Sequence, residues 1–76
     1  MGKGKPRITN RIRQLRLEAG QMTQQALAEQ VGVTRQTVIA IENYRYSPSL
    51  EVAFRIARVF GAGLEDVFGY DQSPVE

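Results

Sequence analysis

Apolar side chains recur along this chain in short bursts at helical spacing, each burst closed by a glycine or a proline. Ile12, Leu15 and Ala19 are followed by Gly20. Leu27, Ala28 and Val31 are followed by Gly32. Val38 and Ile41 are followed, past the loop Tyr44–Pro48, by Leu50, Ala53, Phe54, Ile56, Ala57 and Phe60. Gly61-Ala62-Gly63 then precedes Leu64, Val67 and Phe68. Spacings of three and four residues place each set on one face of a helix. The pattern predicts five short helices and no strand, an all-α fold.

Polar residues mark the helix starts, because a Ser, Thr or Asn oxygen can accept one of the unsatisfied N–H groups of a first turn. Thr9 or Asn10 is placed to cap a helix through Ala19. Thr23 is placed to cap Gln24–Val31, Thr34 to cap Arg35–Asn43, and Ser47 or Ser49 a helix through Phe60. Gly20 and Gly32 follow as residues that take the left-handed conformation without steric cost. Pro48 disfavours helix at the residue before it. The Gly- and Lys-rich stretch 1–8 reads as a basic arm, 9–69 as the folded domain, and 70–76 as a short frayed tail.

At 76 residues the chain holds one domain, burying about 60% of its unfolded surface. It has no Cys and no His, which removes disulfides, thiolate metal sites, the commonest metal ligand and the usual general base. Glu51, Glu65 and Asp66 fall among solvent-facing helix positions and form no catalytic constellation, so an enzyme finds no support. No cofactor or metal site is expected, and no small-molecule effector is evident. The absence of Cys and of an export signal leads to the expectation of a cytoplasmic protein.

The net charge of +2 hides an asymmetry. Residues 1–45 carry Lys3, Lys5, Arg7, Arg11, Arg13, Arg16, Arg35 and Arg45 against Glu18, Glu29 and Glu42. Residues 46–76 carry Arg55 and Arg58 against Glu51, Glu65, Asp66, Asp71 and Glu76. The first part is therefore +5 and the second −3. A basic half joined to an acidic half fits one face turned towards a polyanion, and fits equally an ordinary solvated surface with a basic arm.

The middle of the chain narrows the choice. Two short helices separated by only Gly32-Val33-Thr34 must cross steeply, so that one braces while the next protrudes. Ala28 suits the crossing point, where a larger side chain would force the helices apart. At about 100° per residue, Val38 and Ile41 set the buried direction of the second helix. The opposite arc holds Gln36, Ile39, Ala40 and Asn43, with Arg35 on its leading flank. Gln and Asn can bond adenine N6 and N7, Arg can bond guanine O6 and N7, and Ala or Ile can touch a thymine methyl.

This segment resembles the phage-repressor and Cro-like helix-turn-helix family of transcriptional regulators, over about residues 10–70. The resemblance rests on Thr23-Gln24, Leu27-Ala28, Gly32-Val33-Thr34, Val38 and Ile41-Glu42. Tyr46-Ser47-Pro48-Ser49-Leu50 and Ile56-Ala57-Arg58-Val59-Phe60-Gly61 continue it in order and spacing. It implies that Arg35, Gln36, Ile39 and Ala40 face the bases, and that Gln24, Thr34, Thr37, Asn43 and Arg45 hold flanking phosphates, with Gln24 also buttressing Gln36. It further implies a structural ion pair between Arg16 and Glu42. The helical wheel agrees, since Glu42 falls beside the buried arc.

Two positions depart from the family pattern. Tyr44 stands where the family has Gly after the Glu-Asn that ends the third helix, so either Asn43 takes the left-handed conformation or that helix ends differently. Gly20-Gln21-Met22-Thr23 is one residue longer than the commonest spacing.

The expected function is sequence-specific binding of double-stranded DNA as a homodimer on a pseudo-palindromic operator, with repression as the expected outcome. The alternative is an antitoxin-like protein-interaction module that also binds DNA. Elsewhere, Arg55 and Arg58 read as solvated charges on the fourth helix, and Tyr44 and Tyr46 as either stacking near a DNA backbone or packing the loop. Val52, Val59, Phe68 and Tyr70 read as either a dimer contact or core with scattered exposed residues.

Overall fold

In the computed structural model, which describes residues 7–71, the order of elements is β1 (Ile8–Asn10), α1 (Ile12–Glu18), α2 (Gln24–Val31), α3 (Arg35–Glu42), α4 (Leu50–Val59), α5 (Leu64–Val67) and β2 (Phe68–Tyr70). Five helices enclose one core of Ile12, Leu27, Ala28, Val31, Val38, Ile41, Ile56, Ala57 and Val67. Every helix contributes to it, and Leu15, Met22, Val33, Val52, Val59, Phe60, Ala62 and Phe68 pack around it, partly buried. No helix among the described residues is long and apolar enough to cross a membrane.

The fold is mostly helical, and the all-α expectation needs one correction. β1 and β2 form an antiparallel pair, with Ile8 opposite Tyr70, Thr9 opposite Gly69 and Asn10 opposite Phe68. Two segments assigned to the arm and the tail therefore belong to the ordered domain at Ile8 and Tyr70. A Cβ on Gly69 would stand 2.9 Å from Thr9 Oγ1, so a larger residue there would have to displace the Thr9 hydroxyl. The pairing continues outwards. The Asp71 N–H donates to the Arg7 carbonyl at 2.6 Å, Arg7 Nε donates to the Asp71 carbonyl at 2.9 Å, and the Arg7 guanidinium lies 5.4 Å from the centre of the Tyr70 ring. The rest of the expected arm and tail, 1–6 and 72–76, lies outside the described residues.

Helix starts follow the side-chain chemistry, with one shift. Thr23 Oγ1 accepts from the Ala26 N–H at 2.9 Å, Thr34 Oγ1 from the Thr37 N–H at 3.1 Å, and Ser49 Oγ from the Val52 N–H at 3.2 Å. Each satisfies one orphan donor of a first turn. α1 instead begins at Ile12 with Arg11 in the cap position and no side-chain cap there. Asn10, one residue further back, supplies its Oδ1 to the Ile12 N–H at 3.1 Å. The same side chain donates from Nδ2 to the Ile41 carbonyl at 3.0 Å, tying the start of α1 to α3.

Three apolar residues expected in the core lie outside it. Ala19 is exposed, and the buried residues of α1 are Ile12 and Arg16. Leu50 and Phe54, one turn apart on α4, are 71% and 53% exposed. Ala53, Ile56 and Ala57 fill the buried arc of α4.

Candidate nucleic-acid interface

The turn between α2 and α3 is set by Gly32, whose φ of 89° lies in the left-handed region. Only Gly takes that geometry freely. The Gly32 and Val33 N–H groups both donate to the Ala28 carbonyl, at 2.8 and 3.0 Å, so the chain reverses within one turn of helix. Leu27, Ala28 and Val31 of α2 share the core with Val38 and Ile41 of α3. This packing fixes the outward arc of α3.

On that arc Arg35, Gln36 and Asn43 are exposed, while Ile39 and Ala40 are half-buried. Among the described residues, neither Arg35 nor Gln36 has a hydrogen-bond or ion-pair partner, so their forked donors and acceptors are free for another molecule. Thr34 and Thr37 share a hydrogen bond between their hydroxyls at 3.0 Å. Thr37 is half-buried, whereas Thr34 is exposed.

Behind this surface lies a buried polar network. Arg16 donates from Nε to Glu42 Oε2 at 2.7 Å and from Nη2 to Oε1 at 3.1 Å, a bidentate pair. Arg16 Nη1 donates to the Met22 carbonyl at 2.8 Å. Gln24 donates its side-chain N–H to Glu42 Oε1 at 3.1 Å. Gln24 thus braces Glu42 at the far end of α3 rather than Gln36 at its start, contrary to the sequence expectation. The network links α1, the α1–α2 loop, α2 and α3, and no buried side-chain polar atom among the described residues lacks a partner.

The end of α3 resolves the first departure from the family pattern. Asn43 has φ −91°, and Tyr44 itself takes the left-handed conformation at φ 61°. The Arg45 N–H donates to the Ala40 carbonyl at 2.9 Å and the Tyr44 N–H to the Ile41 carbonyl at 3.1 Å. These are the paired six-to-one and five-to-two bonds of a Schellman ending, with tyrosine in the place glycine usually fills. The second departure is absorbed by two consecutive left-handed residues, Gly20 at φ 77° and Gln21 at 60°. They turn the chain so that the Met22 N–H reaches the Arg16 carbonyl at 2.8 Å.

A further structural residue was not visible in the sequence. Arg55, read as a solvated charge, donates from Nη1 to the Val31 carbonyl at 3.1 Å and from Nη2 to Glu51 Oε2 at 2.8 Å. It satisfies a C-terminal carbonyl of α2 just before the turn. The reach of Arg55 across to another helix depends on tertiary packing, which its place in the sequence does not show.

The starts of α2 and α3 open on a trough of about 580 Å³, bordered by Arg13, Gln24, Arg35 and Asn43 and floored by the Arg16–Glu42 pair. A braced helix, a tight glycine turn and a second helix with an outward polar first turn are the parts of a helix-turn-helix. The helix-turn-helix family model matches residues 12–67. The chain belongs to that family, in its Cro-like branch.

A protein of Methanothermobacter thermautotrophicus is 58% identical over 62 residues, covering 80% of this chain and 88% of that one. One from Archaeoglobus fulgidus is 51% identical over 64 residues, 84% of this chain and 90% of the relative. YgzD of Bacillus subtilis is 46% identical over 65 residues, 86% and 97% respectively. All three carry the name HTH-type transcriptional regulator. A crystal structure of a protein from Bacteroides fragilis, proposed to bind DNA, superimposes with a TM-score of 0.71 at 26% identity. It covers 82% of this chain and 98% of the other.

Proposed function

We propose that this chain is a transcriptional regulator that binds double-stranded DNA with α3 in the major groove. The observation that carries the reading is the first turn of α3, where Arg35 and Gln36 project from a helix braced by α1 and α2, without a partner among the described residues. Both can present two hydrogen-bonding atoms to one purine edge. Ile39 and Ala40 lie one turn further along for apolar contact, and Gln24, Thr34, Thr37, Asn43 and Arg45 flank them for phosphates.

One helix of eight residues spans only a few base pairs, so the proposed form on DNA is a homodimer on a pseudo-palindromic operator, acting as a repressor. Two-fold symmetry then sets half-site centres about 34–36 Å apart. The α4–α5 side is the proposed dimer contact, where Leu50 and Phe54 stand exposed outside the α2–α3 surface.

Selection of bound molecules from a pool of random duplexes tests the reading. The expected result is enrichment of an inverted repeat with that spacing, bound by two copies of the chain. A pool that is not enriched overturns sequence-specific binding, and one copy per enriched site overturns the dimer.

A further inference from the structure

The helix-turn-helix accounts for Arg35 and Arg45 but leaves α1 without a part in binding. Two arginines lie one turn apart on α1 with different surroundings. Arg16 is held by both oxygens of Glu42 and by the Met22 carbonyl. Arg13 is exposed and has no hydrogen-bond or ion-pair partner among the described residues.

Arg13 borders the trough at the starts of α2 and α3, as Arg35 does. It also borders a second concavity of about 640 Å³ that Arg11 and Tyr44 help to form. Glu42 and Asn43 are common to both, so the two hollows make one continuous surface. Among the described residues Glu42 is the only carboxylate on the border of either, and its oxygens are already engaged by Arg16 and Gln24. Three guanidinium groups, from Arg11, Arg13 and Arg35, thus border a surface that holds no free counter-charge among the described residues. A surface bordered by cations of one sign carries a positive potential that favours an anion.

The geometry points to Arg13 as a DNA-backbone contact supplied by α1, outside the helix-turn-helix. The anion is a phosphodiester of the strand that flanks the half-site, carried along the surface shared by the two concavities. This rests on the DNA-binding reading given above. The contact adds grip without adding sequence preference, because a phosphate looks the same at every base pair.

The test measures binding to a labelled duplex of mixed sequence as a function of salt, for the native chain, Arg13→Gln, Arg13→Lys and Arg58→Gln. Arg58 is an exposed residue of α4, and its replacement changes the net charge by the same amount. Each neutralised phosphate contributes a slope of about −0.9 to log K against log salt. Arg13→Gln is expected to flatten the slope by about 0.9, so that the advantage of the native chain shrinks about threefold between about 50 and 200 mM salt. Arg13→Lys keeps the native slope, Arg58→Gln also keeps it, and all three variants melt at the native temperature.

A slope for Arg13→Gln equal to that of the native chain overturns the inference alone, as does an Arg13→Lys slope as shallow as that of Arg13→Gln. A native chain that does not bind the duplex at any salt overturns the inference together with the DNA-binding reading beneath it.

Discussion

Arg16 Nε lies 2.7 Å from Glu42 Oε2, and both side chains are more than nine-tenths buried, at 9% and 7% exposure. A pair this enclosed is weak evidence of net stabilisation, because desolvating two charges offsets most of their attraction. Losing one partner is another matter, since the survivor stays buried without compensation. Glu42→Ala should lower the unfolding free energy by about 3–5 kcal/mol, enough to unfold much of a domain this small. Replacing both residues by Met or Leu should cost less than Glu42→Ala alone. Urea denaturation of Glu42→Ala, Arg16→Met, Glu42→Leu and the double variant Arg16→Met/Glu42→Leu checks this, and a double variant whose loss equals the sum of Arg16→Met and Glu42→Leu would show that the residues act independently.

Tyr44 holds the left-handed conformation at φ 61°, where an L-residue with a Cβ is disfavoured by about 1–2 kcal/mol. Tyr44→Gly should remove that cost while adding freedom to the unfolded chain, for a net stabilisation of up to about 1 kcal/mol. Tyr44→Val should destabilise, since a β-branched residue fits this region worst. Melting temperatures of the two variants should therefore move in opposite directions. A drop in both would mean that the contacts of the Tyr44 ring outweigh its backbone strain.

The two bonds of Arg55 separate a buried-end interaction from a surface one. Its contact with the Val31 carbonyl satisfies the end of α2, whereas the Glu51 partner is 74% exposed. Exposed ion pairs contribute about 0–1 kcal/mol. Glu51→Gln should therefore leave stability within about 0.5 kcal/mol of native, while Arg55→Met should cost about 1 kcal/mol. Equal effects in chemical denaturation would assign the role of Arg55 to the surface pair.

Arg35→Ala and Gln36→Ala should each weaken binding to the selected operator by about 1–3 kcal/mol and relax preference at one base pair. Their effect on a scrambled duplex should be small. Arg45→Ala should weaken both by nearly the same factor, as expected of a phosphate contact. Affinities for the two duplexes, measured at one salt concentration, decide the matter. If Arg35→Ala and Gln36→Ala lower both equally, these residues do not read bases.

The helices were legible because their signals are local. Thr23, Thr34 and Ser49 cap by reaching three residues along their own chain, and Gly32 supplies a conformation few other residues take freely. The strands were not legible because three residues carry no measurable period, and the partner of Ile8 lies at the other end of the domain. Leu50 and Phe54 misled because apolar character permits burial without requiring it. At the candidate interface, the outward position of Arg35 and Gln36 followed from the wheel, since Val38 and Ile41 fix the opposite side. The bonds of Gln24 and Arg55 depend on which helix ends the tertiary packing brings near them. Tyr44 was marked as unusual by the resemblance, yet only the backbone could show that it, and not Asn43, turns left-handed.

The antiparallel pair of Ile8–Asn10 with Phe68–Tyr70 has a mechanical consequence. Ile8 faces Tyr70, so both ends of the domain leave from the same mouth of the ladder. Hydrogen bonds in such a ladder run across the strands. Tension that separates the two ends therefore loads the bonds one after another, as in opening a zip, and never shears them all at once. The contacts of Arg7 with Asp71 and Tyr70 sit at that mouth and are the first of the described contacts to yield. Under load the sheet would peel away at low force, leaving the helices to resist as a second, separate barrier.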